Sequence, residues 1–95
     1  MNTVDINITA PDHENLVVVT VEDEYDSDHV NVDFSEIEAA RAKGPQQLLE
    51  TILNYAEGST FDILRAAKQN GSPVILEGQE VSTDIIENAF SSPSP

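Results

Sequence analysis

Between Glu22 and Asp28 the chain places five carboxylates within seven residues, Glu22, Asp23, Glu24, Asp26 and Asp28, around one aromatic side chain, Tyr25. Carboxylates at that density can coordinate a hard cation, exchange protons as acid and base, or stand in for phosphates against a basic surface. Calcium coordination of the EF-hand kind needs a glycine at the sixth loop position and a closing bidentate glutamate, and the segment has neither. Acid–base chemistry is no better marked. With 18 acidic residues in the chain, a nearby pair of carboxylates carries little information. His13 and His29 fall in an expected turn and at a loop edge, with no motif around them to orient a nucleophile. The expectation is therefore no catalytic residue, no metal and no cofactor.

The third chemistry fits best. Glu22, Glu24, Asp26 and Asp28 stand at alternate positions, so if the flanking strands ran on into the loop they would share one face at a spacing of about 6.6 Å. Like charges this close repel, and folding gains nothing from them. Asp33 and Asp5 extend the patch, and Tyr25 is a candidate aromatic anchor. The plain alternative is a solvated loop whose charge keeps a sheet edge from pairing.

Composition narrows the partner. The chain has 95 residues, 18 acidic against 4 basic, and a net charge of −14. Direct binding to nucleic acid or to an anionic membrane needs lysine and arginine, and is disfavoured. There is no cysteine, hence no disulfide or thiolate site. No basic segment followed by an apolar run opens the chain and no stretch approaches membrane-spanning length, so a cytoplasmic protein is expected. A hydrophobic content of 39% in regular patterns argues for one folded domain over residues 1–90.

The elements that must position the acids follow from periodicity. Residues 3–9 alternate with Val4, Ile6 and Ile8 inward, and Pro11, Asp12 and Asn15 turn the chain. Val17, Val19 and Val21 then share one face, as do Val30, Val32 and Phe34 after the acidic segment, which reads as a loop over 23–28 without a tight turn. Asp5, Asn7, Thr20, Glu22, Asn31 and Asp33 fall on the opposite, polar face. Ser35 with Glu38 forms a capping box for a helix to Lys43. Gly44-Pro45 opens a second helix over 45–57 with a Leu48, Leu49, Ile52, Leu53 and Ala56 stripe. Ser59 with Asp62 starts a third to Gln69, ended by Asn70-Gly71. Residues 73–77 read as a fourth strand, residues 77–80 turn, and Ser82 caps a last helix. The tail, 91–95, is expected to be disordered. The order β-β-β-α-α-α-β-α predicts an α+β domain with helices on one face of a mostly antiparallel, three- to four-stranded sheet.

Two explanations of the charge compete. A halophilic surface spreads its acids evenly, whereas here their density peaks between Glu22 and Asp28. A nucleic-acid mimic clusters them on one face of a small domain. The clustering favours a non-enzymatic inhibitor that occupies a basic, nucleic-acid-binding protein. Small acidic domains of this general kind occur among phage-encoded inhibitors of host defence, some anti-CRISPR proteins included, a comparison carried by size and charge alone. The alternative is a structural or assembly protein working through an oligomeric apolar interface. Oligomeric state is left open by the residues.

Overall fold

The computed structural model describes residues 3–91. Nine elements follow one another: β1 Val4–Ile8, β2 Leu16–Glu22, β3 Ser27–Asp33, α1 Phe34–Lys43, α2 Pro45–Tyr55, α3 Ser59–Asn70, β4 Val74–Leu76, β5 Gln79–Val81 and α4 Thr83–Ser91. The five strands form one sheet in the order β3-β2-β1-β4-β5. The class is α+β, as expected, but the sheet is mixed. β1 pairs antiparallel with β2 and parallel with β4, because three helices carry the chain back to its starting end before it re-enters the sheet.

The hydrophobic alternation becomes one buried face. Val4, Ile6, Val17, Val19, Val21, Val32, Val74, Leu76 and Val81 pack under Ile37, Leu48, Leu49, Ile52, Ile63, Leu64, Ala67, Ile86 and Ala89 from the helices. The α2 stripe is thus consumed inside the domain. Thr51, buried among these side chains, sends its hydroxyl to the Gln47 carbonyl at 3.0 Å. No buried side-chain polar atom among the described residues lacks a partner. No helix among them is long and apolar enough to cross a membrane.

Several boundaries differ from expectation for identifiable reasons. The cap of α1 is Asp33, whose Oδ1 accepts from the Ser35 amide at 2.9 Å and from the Ser35 hydroxyl at 2.6 Å. A carboxylate two residues upstream thereby displaces Ser35 from the capping role. Gly58, at φ 60° and ψ −129°, precedes α3 in place of Ser59, and Asp62 turns to Arg65 instead of closing a box. Helix α2 stops at Tyr55, two residues short of expectation. Residues 77–80 are not a simple turn. Glu77-Gly78 is the two-residue loop of a β4–β5 hairpin, with both residues at positive φ, 51° and 85°. Ser82 does cap α4, its Oγ accepting from the Ile85 amide at 3.4 Å. Ser91, assigned to the tail, closes α4, and 92–95 lie outside the described residues.

Candidate functional site

The acidic segment is a tight hairpin. Glu22 pairs with Ser27, leaving Asp23, Glu24, Tyr25 and Asp26 as the loop. Asp23 holds it. Its backbone N–H donates to the Asp26 carbonyl at 2.9 Å, and its Oδ1 accepts from the amides of Tyr25 at 2.8 Å and Asp26 at 2.7 Å. An aspartate side chain that closes a turn in this way replaces the Asn-Gly pair the sequence lacks. The loop is therefore shorter than the expected 23–28 segment and is closed by hydrogen bonds of its own.

On this frame Tyr25 projects at the tip. It is 84% exposed, the one large hydrophobic side chain so exposed among the described residues. Glu24 and Asp26 flank it, both exposed. Behind the tip, Glu22 lies directly across from Asp5. The ladder continues from Asp5 to Ile75 and from Ile75 to Glu80. A row of Ser27, Glu22, Asp5, Ile75 and Glu80 thus crosses all five strands on the uncovered face, at about 4.8 Å per strand. Glu80 belongs to this row and was invisible from sequence, because β5 was not anticipated. Leu16, Val18 and Ile75 sit half-buried on the same face, so it is mixed in character. Thr3, Asp5, Glu22, Asp23 and Glu24 line a shallow depression of about 260 Å³. Its carboxylates do not converge: among the described residues no group of three or more histidine, aspartate or glutamate side chains is spaced to hold a metal ion.

Two residues of the expected patch fall elsewhere. Asp28 pairs with Val21, so it points to the helix-covered side, not to the face of Glu22. Its Oδ1 accepts from the His29 amide at 2.8 Å. Asp33 lies at the far end of β3, about 20 Å from the tip at ordinary strand rise. There it serves as the α1 cap, and the hydroxyl and amide of Ser35 hold its pKa below 3.8.

The cations show the reverse distribution. All four lie on two helices, Arg41 and Lys43 on α1, Arg65 and Lys68 on α3. Arg41 reaches Glu77 with Nε at 3.1 Å and Nη2 at 2.6 Å, and also pairs with Glu38. Its charge is stabilised first by Glu77, which raises its pKa further. Arg65 bonds Asp62 at 3.2 Å and stacks 5.7 Å from the Phe61 ring centre, and Lys68 stands 5.5 Å from that of Phe90. The sheet carries no lysine or arginine at all. No family model, no curated protein and no solved structure matches the chain. Its function is therefore argued from this geometry.

Proposed function

We propose that the chain is a non-enzymatic binding protein that presents the β2–β3 tip and the wet face behind it to a basic, nucleic-acid-handling surface of a protein partner. Tyr25 carries the reading. A tyrosine held 84% exposed between carboxylates, on a loop its own aspartate fixes, gives no return to folding. It does suit binding, since such a side chain loses little further freedom when it docks and can stack on an arginine plane. Around it Glu22, Glu24, Asp26 and Asp5 supply negative charge with no cation on the same sheet. That is the electrostatic pattern a phosphate-binding groove accepts, and competition with nucleic acid is the mode of inhibition it implies. An anti-defence protein of a phage is one setting in which such an inhibitor acts.

The test is a matched pair of variants. Glu22→Gln, Glu24→Gln and Asp26→Asn together remove three charges at the tip. Glu14→Gln, Glu50→Gln and Glu87→Gln remove three elsewhere. A partner captured with the native protein should be lost by the first variant and kept by the second, and duplex DNA or single-stranded RNA should displace it. Equal retention by both variants would end the proposal. Tyr25→Ala should weaken capture even though no charge changes.

A further inference from the structure

A second surface lies on β3. It is the terminal strand of the sheet, bonded to β2 on one side only. The Asp23 amide bonds the Asp26 carbonyl before the ladder, and the Phe34 amide bonds the Asn15 carbonyl after it. By alternation the backbone-bonded pairs between them are Val21–Asp28, Val19–Val30 and Val17–Val32. His29 and Asn31 therefore turn their N–H and C=O groups outward, away from β2. The His29 amide is met by the Asp28 carboxylate, which leaves Asn31 at the centre of the edge. Beside this edge runs a groove of about 490 Å³, with Asp28, Val30 and Asn31 on one wall and Tyr55, Glu57 and Thr60 on the other.

We propose that this edge is a strand-addition site for an extended, lysine- or arginine-bearing segment of a protein partner. The inference does not rest on the tip. An added strand would lie about 4.8 Å from β3 and send alternate side chains toward the groove. A cation there meets Asp28 and Glu57, and no lysine or arginine lines the groove to oppose it. A second copy of this chain is the other natural occupant of an open edge, and charge decides against it. Each copy carries −14, and β3 would bring Asp28 and Asp33 but no lysine or arginine to such a pairing. The carboxylate that deters self-pairing selects for a basic strand.

The probe is the peptide acetyl-(Lys-Val)4-amide, with acetyl-(Glu-Val)4-amide as control, added to the isotope-labelled protein while amide exchange is followed by NMR. The basic peptide should slow exchange at Asn31 by about tenfold or more, as expected for a new backbone hydrogen bond, and leave the Tyr25 amide unchanged. Asp28→Asn with Glu57→Gln should weaken its binding about tenfold, the scale of one charge-assisted contact. Asn31→Pro removes the outward N–H at a position where an edge strand accepts proline, and should abolish the effect. A peptide N-methylated on every residue should fail on the native protein, which keeps the test sound if Asn31→Pro does not fold. Binding without protection at Asn31, equal action of the acidic peptide, or undiminished binding by the methylated peptide would each overturn the proposal. The tip triple variant should retain the protection. Its loss there would assign the peptide to the hairpin tip and overturn the edge site, while failure of the edge leaves the tip reading standing.

Discussion

Asp23 shows how one side chain can shape a hairpin loop. Its carboxylate accepts two backbone amides, and removing it leaves both without a partner at the tip. Asp23→Ala should destabilise the protein by about 1 kcal/mol in a urea melt, the ordinary net worth of such bonds, and broaden the Tyr25 amide resonance as the loop loosens. Asp23→Asn keeps an acceptor and should recover most of both. Asp33 gives a pH signature. Its folded pKa is depressed below 3.8, so the stability it contributes is complete above the unfolded value and is lost as pH falls through the folded one. Asp33→Asn still caps α1 but does not titrate. Thermal melts should show it less stable than the native protein near neutrality, with the gap closing as the pH falls through the lowered Asp33 pKa. At this scale the sequence misleads at Asp28, as it does at the caps of α1 and α3. Partners in β2 and β3 have numbers summing to an odd value, as in Glu22 with Ser27, so even-numbered Glu22 and even-numbered Asp28 take opposite faces. The apolar sets Val17, Val19, Val21 and Val30, Val32 already carry that parity, and the acids mislead only when Glu22 to Asp28 is counted as one continuous strand through a loop that Asp23 closes.

The elements divide between what is local and what is not. β1, β2, β3 and α2 are plain in the sequence because each has a full period of apolar residues facing one way. β5 has three residues, of which only Val81 is buried, and no periodicity test can find it. The place of β4 beside β1 is also hidden, because parallel pairing depends on the length of three intervening helices. Consequently the Glu80 end of the acidic row and the terminal position of β3 were illegible, whereas the tip itself was not. The β4–β5 turn offers a direct test. Glu77 adopts φ 51°, a left-handed conformation that costs a residue with a Cβ about 1–2 kcal/mol. Glu77→Ala and Glu77→Gly both lose the exposed Arg41 pair, so their difference isolates the backbone. The glycine variant should be the more stable by about 0.5–1 kcal/mol once its greater unfolded freedom is counted, as measured by denaturant midpoints. In the core, Ile52 is fully buried on α2, and Ile52→Ala should cost about 2–5 kcal/mol in the same measurement.

For the molecule as a whole, charge and size set the response to salt. The Cα radius of gyration is 12.3 Å, so at about 0.1 M salt the screening length of about 10 Å falls inside the molecule. Self-repulsion among the acids should accordingly be relieved early. The melting temperature should rise as sodium chloride goes from a few millimolar to about 0.2 M and then level, less steeply in the tip triple variant. A fold that formed only in molar salt would restore the halophilic explanation. Light scattering should find a monomer of 10.3 kDa, since α2 spends its stripe on the core and Tyr25 is too small a surface to hold two copies together. The confinement of every cation to α1 and α3 has one more consequence. A body negative on its sheet side and partly neutralised on its helix side feels a torque near a positive surface before it touches it. Diffusing toward a basic partner, it should swing its strands forward while still several ångströms away, so that few encounters arrive helix-first. Electric birefringence in dilute buffer would register that turning moment, and moving a lysine onto the wet face, as in Asn7→Lys, should reduce it without altering the fold.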